Sequence, residues 1–361
     1  MIEAARSDSK LDGVLARDDL FWLETAELED LRFALLLDAF ARVVARHATY
    51  ARYCEREGFD AERLAAERTL TDIPLLPSRI FKHGVGEPAE GEDVLLTTSS
   101  GTMGGVSVVP RDDATLTRFY AGLAAVVREL LRGENANALI LNLGPSAREA
   151  RALWISYVMA GAAVLHPSRS YVRDGVLDIE RACADLLATS DRAVVVGPPQ
   201  LLLEFARAAS CAMAGDHRRR DVMVVSIGGW KVRGGETIAR AAFQAEIASS
   251  LRISEGDIRD AFSMVELNSV VLECESHRKH LPPWLHARAR DPRTLAVLPT
   301  GEEGILAYLD ATAASYPGFV LSDDLGSVEH AVRCSCGRTG DLLTVTRRVK
   351  RVEARGCALR M

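Results

Sequence analysis

Between Thr97 and Pro110 the chain reads TTSSGTMGGVSVVP, a loop of Ser, Thr and Gly set between the apolar runs VLL and VSVV. Small residues let the backbone approach a bulky anion, and their hydroxyls and unshielded N–H groups donate to phosphate oxygens. A nucleotide polyphosphate suits this chemistry; an ordinary surface linker would have a similar composition. The spacing is not that of the GxxxxGK[ST] loop, because no Lys follows the glycines. A second reactive set is made of sulfur and imidazole. Cys334 and Cys336 form C-x-C beside Gly337, and Cys274 lies upstream in CESHRKH with His280, for which His277 is the rival. Thiolates and imidazole suit a tetrahedral structural zinc, with buried free thiols as the alternative. The third feature is Cys357 in EARGCAL, flanked by Arg351, Arg355 and Arg360. Cations there favour the thiolate, and a short tail would let it swing; an incidental terminal thiol is the plain alternative.

These groups must be positioned by a chain of 361 residues that is 48% hydrophobic, enough to bury a large core. From about Leu20 to Ala66 the apolar positions follow helical spacing, as in LRFALLLDAFARVVARHATYARYC, which predicts an all-helical opening lobe. IPLLPSRIFK, with Pro74 and Pro77, interrupts it. Beyond the loop, strand-like runs alternate with helical ones: NALILNLG then AREARALWISYVMAG, DRAVVVGPP then QLLLEFARAAS, VMVVSIGG then a helix from about Glu236 to Ser249. That alternation predicts a parallel α/β sheet, whose ligands bind at the carboxyl ends of the strands. From Asp291 onward the pattern shifts to short strands and turns. The expected division is a helical lobe over 1–75, an α/β nucleotide-binding core over 76–290, a small β-rich subdomain over 291–346 and a basic tail over 347–361 that carries Cys357.

Charge and cysteine usage remove several classes of function. A formal net charge of −6 with no basic stripe argues against a nucleic-acid or acidic-membrane partner; the short HRRR at His217 to Arg220 reads as a solvated face. No run approaches the roughly 20 apolar residues of a membrane helix, and the first residues do not read as a secretory signal. Seven unevenly spread cysteines do not look like a disulfide framework, which fits a reducing cytoplasm.

The motifs also come in a telling order. TSSGTMGG at 98–105, SIGGWK at 226–231, FSMVE at 262–266, HLPPW at 280–284, SDDLG at 322–326, CSCGRTGD at 334–341 and EARGC at 353–357 together resemble the adenylate-forming acyl and aryl acid ligases. The nearest resemblance is to the acyl-protein synthetases of bacterial bioluminescence fatty acid reductases, and a more distant one is to phenylacetate–CoA ligases. The resemblance implies an α/β fold like the N-terminal domain of these ligases, with a helical N-terminal lobe and without the usual mobile C-terminal domain. It implies that Thr98, Ser99, Ser100, Gly101 and Thr102 hold the phosphates of ATP, and that Gly228 and Gly229 line the adenine pocket. Phe262 would stack on adenine, Glu266 would coordinate magnesium, Asp324 would accept from the ribose hydroxyls and Arg348 would reach the same region. Phe262 as core and Arg348 as surface remain open. Two positions depart from the wider family, which usually has Gly and Thr where this chain has Ser263 and Val265. Lys231 is the candidate to replace the lysine that the absent domain would deliver, with an exposed strand-end lysine as the equal alternative. By the same resemblance, Cys357 accepts the acyl group as a thioester, and some phenylacetate–CoA ligases look as if they bind structural metal through similar elements. Should the relay lie elsewhere, Cys54, Cys183 and Cys211 are next in line.

The expected function is ATP-dependent activation of a fatty or aryl acid as acyl adenylate, then transfer to Cys357 and on to a partner protein. Direct transfer to coenzyme A or an acyl carrier protein is the alternative enzyme. A non-catalytic nucleotide- or zinc-binding subunit of a complex is the alternative of another class.

Overall fold

The computed structural model describes residues 10–83, 93–100, 105–130, 137–146, 148–149, 151–215, 221–230 and 238–348. The chain opens with α1 (Lys10–Leu15), α2 (Thr25–Arg46), α3 (Ala48–Arg56) and α4 (Ala61–Glu67). Along α2 the buried Leu28, Leu35, Leu36, Ala39, Phe40 and Val43 recur at helical steps, which lays one apolar stripe along 22 residues. Asp60 caps α4 by accepting from the Arg63 N–H at 2.7 Å. The prolines then lead into β1 (Leu76–Pro77), a two-residue strand. The Ser/Thr/Gly loop joins β2 (Leu95–Thr98) to β3 (Val108–Arg111), an antiparallel hairpin that stands apart from the main sheet.

After α5 (Asp113–Leu130) come β4 (Ala138–Pro145), α6 (Trp154–Gly161), β5 (Ser168–Arg173), β6 (Val176–Leu177), α7 (Ile179–Ala188), β7 (Arg192–Gly197), α8 (Pro199–Ala212), β8 (Val222–Ile227), α9 (Arg240–Leu251) and β9 (Ile258–Phe262). β4 pairs in parallel with β5 and β7, β7 with β8, and β8 with β9, the parallel sheet that the alternation predicts. Helices cover both of its faces, so every residue of β8 is buried. Val194, Val196 and Val225 pack with Phe119, Leu123 and Trp154 on one face. Val195, Val222 and Val224 pack with Phe205, Phe243 and Ile247 on the other. Period-two alternation within an apolar run thus supplies two cores from one strand.

From β10 (Val271–Glu273) and β11 (Lys279–His280) the sheet becomes antiparallel. It continues through β12 (Leu285–Arg290), β13 (Gly304–Asp310), β14 (Phe319–Arg333) and β15 (Thr339–Arg348), with β1 parallel to β14. The sequence predicts short strands here, but β14 and β15 run to 15 and 10 residues. Gly326 reads as a turn and instead sits in the ladder at a bulge, where a Cβ would fall 1.9 Å from the Thr344 carbonyl oxygen. One hydrophobic cluster joins Leu36, Phe40 and Tyr50 of the helices to Tyr308, Phe319 and Val328 of these strands. Among the described residues, no helix is long and apolar enough to cross a membrane.

Candidate nucleotide site and cysteine–histidine cluster

β8 and β9 are parallel neighbours, with Ile227 opposite Ala261, so SIGG and FSMVE leave the sheet at the same edge. Gly228 has φ of +102°, a conformation glycine adopts freely, and among the described residues a Cβ on it would meet nothing closer than 3.9 Å and a Cβ on Gly229 nothing within 4 Å. Both glycines follow the carboxyl end of a parallel strand, where ligands of α/β sheets bind. Phe262 ends β9 with its ring 6.0 Å from that of Tyr308 at an interplanar angle of 27°. It is partly buried, and it packs against the core that includes Tyr308.

Four residues later the chain buries Glu266 at 5% exposure. Burial raises its pKa, against the side-chain hydrogen bond from Ser107 and the charge of Arg348. Ser107 belongs to the Ser/Thr/Gly loop, so the loop and the FSMVE motif meet directly. Asp324 and Arg348 are register partners across β14 and β15, and Arg348 Nε donates to Asp324 Oδ1 at 3.1 Å. Burial raises the Asp324 pKa and Arg348 opposes it. Burial works against the Arg348 charge, but Asp324, Glu266 and Asp323 outweigh it and raise that pKa. Two buried carboxylates thus lie within the field of the Arg348 guanidinium, and burial still leaves both with raised pKa values.

The loop hydroxyls are partly spent on structure. Thr98 Oγ1 donates to the Ala152 carbonyl at 3.2 Å, and Ser99 Oγ accepts from the Ser107 N–H at 3.0 Å. Ser100 is exposed. Gly101, Thr102, Lys231 and Cys357 lie outside the described residues. Of the other cysteines outside the cluster described below, Cys54 and Cys183 are buried, with pKa values raised by burial, and Cys211 is exposed.

Sequence reasoning passed over Arg111, which is 0% exposed. Its NH2 donates to the carbonyls of Val265 and Leu267 at 2.7 and 3.0 Å, which flank Glu266 on both sides. Its Nε donates to Asn268 Oδ1 at 3.2 Å and its NH1 to Thr97 Oγ1, while the guanidinium lies 3.5 Å from the Trp154 ring centre. Trp154 Nε1 in turn donates to Ser263 Oγ at 3.2 Å. Arg111 therefore ties the strand before the loop to the segment that carries Glu266. The only signal in the sequence is a charge directly after VSVVP. Val265 is buried in the core and contributes its carbonyl to this clamp.

At the other end of β14 and β15, two turns of the same form face each other. In one, the Cys274 N–H donates to Arg278 O at 2.8 Å and the His277 N–H to Cys274 O at 2.9 Å. In the other, the Cys334 N–H donates to Arg338 O and the Gly337 N–H to Cys334 O, both at 2.9 Å. His277 and Gly337 take the matching left-handed position, with φ of 55° and 89°. The turns bring ligand atoms of Cys274, His280, Cys334 and Cys336 within 4.8 Å of one another. Cys274 Sγ is 3.9 Å from Cys334 Sγ, and Cys336 Sγ is 3.5 Å from His280 Nε2. Burial pushes His280 down to about 4, so its imidazole is neutral and able to act as a ligand. His277, its rival in the sequence, instead faces Glu273 Oε2 at 3.5 Å and Gln244 Nε2 at 3.3 Å.

With this geometry in hand, the chain can be set beside known proteins. The family described as acyl-protein synthetase, LuxE, matches residues 3–361. The chain belongs to that family. It is 30% identical over 343 residues to the long-chain-fatty-acid–luciferin-component ligase of Aliivibrio fischeri, covering 93% of this chain and 89% of that protein. With the Vibrio harveyi protein of the same name it shares 31% identity over 358 residues, covering 95% and 92%. Among solved structures, an open conformation of 2-hydroxyisobutyryl-CoA ligase, in complex with 2-HIB-AMP and CoA, superposes with a TM-score of 0.70 at 16% identity. That match covers 91% of this chain and 77% of the ligase. The fold is accordingly the one used by adenylate-forming ligases, as the order of the motifs implies, and the chain is a member of a ligase family.

Proposed function

We propose that the chain uses ATP to activate a long-chain fatty acid as an acyl adenylate and then passes the acyl group to a thiol. Membership of an acyl-protein synthetase family and the names of both relatives support the substrate class. The observation that carries the site is the buried Glu266 on which Ser107, Asp324 and Arg348 all act, in the segment that follows β9, the parallel neighbour of the strand that ends in Gly228 and Gly229. The fatty carboxylate attacks the α-phosphorus, a phosphoanhydride bond breaks and pyrophosphate leaves. Thr98, Ser99, Ser100, Gly101 and Thr102 surround the phosphates, Phe262 and the glycines border the base, and Asp324 with Arg348 takes the ribose. Glu266 is suited to hold magnesium, because a buried carboxylate with a raised pKa is short of cations. Magnesium would screen the phosphate oxygens. Lys231 would add positive charge near the reacting centre. The Cys357 thiolate then attacks the acyl carbonyl, AMP leaves, and a thioester carries the acyl group to a partner protein.

The cysteine–histidine cluster would hold a structural zinc. Zn–S bonds of about 2.3 Å and Zn–N bonds of about 2.0 Å in a tetrahedron give S···S and S···N edges of about 3.8 and 3.5 Å. The observed separations are 3.9 and 3.5 Å.

The test is ATP–pyrophosphate exchange driven by a panel of saturated and aromatic acids, followed by labelling with radioactive acid and ATP. Exchange with long-chain acids and a hydroxylamine-labile label on the protein support the reading. Absence of exchange with every acid overturns it, and acylated coenzyme A without protein label moves the acceptor from Cys357 to coenzyme A.

A further inference from the structure

A cavity of about 1000 Å³ opens where α3, α4 and the 71–80 segment face β12 and β14. None of the residues placed at the nucleotide site or in the cysteine–histidine cluster lines it, and its volume is at the upper end of the range of ligand pockets. Phe59, Ile80, Leu295 and Leu321 give it apolar walls. Its charged lining is one-sided: Arg46, Arg56, Arg63 and Arg290 against Glu57 and Asp72.

Two of these cations are already engaged, Arg46 with Asp112 at 2.6 Å and Arg63 with Glu67 at 3.1 Å. Arg56 and Arg290 make no ion pair among the described residues. Arg290 is the more informative. Its NH1 donates to the Leu295 carbonyl at 3.0 Å, its NH2 donates to the Thr71 carbonyl, and its Nε is buried with no partner. Burial pushes its pKa down, with only the charge of Asp72 in opposition. A half-buried guanidinium satisfied by neutral carbonyls on the wall of a cavity is a ready partner for an oxyanion, because the charge-assisted contact replaces water already lost.

We propose that this cavity is a second ligand site, separate from the nucleotide site, for an anionic amphiphile: an alkyl or acyl chain along Phe59, Leu295 and Leu321, with its anionic head on Arg290 and Arg56. Such a ligand uses both halves of the lining at once, which a sugar, a bare phosphate or a neutral hydrocarbon does not. The cavity also shares a wall with the clamp around Glu266. Ser315 and Pro317 line it, while the Tyr316 hydroxyl between them lies 3.5 Å from Arg111 NH2. An occupant therefore bears on the turn that packs against Arg111, and any effect it has on ATP must be returned by ATP on it.

Decane-1-sulfonate, which cannot be adenylated, is the probe. Calorimetric titration into the full chain below the micellar concentration, without nucleotide, should show one saturable site. Arg290→Gln and Arg56→Gln should each weaken it about tenfold or more while acid-dependent pyrophosphate exchange persists. Arg56 is exposed, so its variant remains informative even if Arg290→Gln compromises folding. Decanoate and decyl phosphate, titrated in parallel, separate a fatty-acid from a phospholipid-like source by which binds more tightly. No saturable binding, or binding unchanged in both variants, overturns the proposal. Binding is measured without nucleotide, so a failure of exchange with binding intact would remove the activity proposed above and leave this site standing.

Discussion

Arg111→Met offers a direct test of how the nucleotide site is held. Methionine keeps an unbranched apolar stem and removes every donor. The carbonyls of Val265 and Leu267, now bonded at 2.7 and 3.0 Å, lose their partner inside the core, and Trp154 loses a guanidinium 3.5 Å from its ring centre. Orphaned buried acceptors cost about 1–3 kcal/mol each, and a desolvated cation–π contact contributes about 2 kcal/mol. Against this, the wild-type chain carries the desolvation of a fully buried cation without a carboxylate partner, a penalty of a few kcal/mol that methionine relieves. The balance is a loss of about 3 kcal/mol, read as a lower urea midpoint with unchanged slope. Function should suffer beyond stability. At a temperature where both proteins are folded, exchange by the variant should require more magnesium and more ATP, because the segment bearing Glu266 is no longer fixed on both sides. Arg111→Lys, which keeps the charge but cannot reach Asn268 and both carbonyls together, should fall between the two. An unchanged urea midpoint together with an unchanged magnesium requirement would refute the clamp.

Glu266→Gln should retain the fold, since the amide matches the buried carboxyl in shape, and should lose pyrophosphate exchange by a hundredfold or more, on the scale of about 3 kcal/mol for one electrostatic contact in a transition state. Metal analysis should return about one zinc per chain; Cys336→Ser should lower both zinc content and melting temperature, and a protein that is metal-free as purified and indifferent to chelator would remove the site. Cys357→Ser should keep exchange but lose the thioester label that neutral hydroxylamine releases from the wild type. Asp341→Asn breaks a buried pair, Arg32 NH1 to Asp341 Oδ2 at 2.8 Å, and the His330 contact at 3.0 Å, so it should cost about 3–5 kcal/mol at neutral pH. Arg32 and His330 hold the Asp341 pKa below its unfolded value despite burial. Its stabilisation is therefore fully present above the unfolded carboxylate pKa of about 3.9 and is lost as pH falls from there through the depressed folded value, so in urea titrations the gap between wild type and variant should start to narrow below about pH 4 and keep narrowing as acid is added.

What was legible in the sequence follows a physical rule. β7 and β8 could be read because RAVVVG and VMVVSI are continuous apolar runs, which is what burial on both faces of a parallel sheet demands. The four members of the cysteine–histidine cluster could be read because soft ligands have few other reasons to gather in one chain. The length of β14 could not: Gly326 and the SDD before it carry turn chemistry, and only the facing strand shows that the glycine serves a bulge. Arg111 was illegible for a related reason. An arginine at the end of a strand is usually solvated, and its burial depends on carbonyls more than 150 positions away, which no local pattern encodes.

The two sites share one hairpin, and this links the cluster to the chemistry. Asp324 and Arg348 face each other near its open end, and Cys334 and Cys336 occupy its turn, about 33 Å of strand away. Between them the register shifts twice, at Leu325/Gly326 and at Glu329/Val332. A slip of one residue anywhere along this ladder would carry Asp324 to the opposite face of the sheet, so its place depends on every point at which the register is held. The turn is independently anchored. β11 pairs with β15 at Lys279–Leu343 and His280–Leu342, and the cluster draws the Cys334 turn onto the Cys274 turn. A metal on those four ligands would fix the closed end of the hairpin, and through it the positions at which Asp324 and Arg348 meet. Its binding free energy would then reach the nucleotide site as precision in strand register, without any ligand of the metal touching ATP.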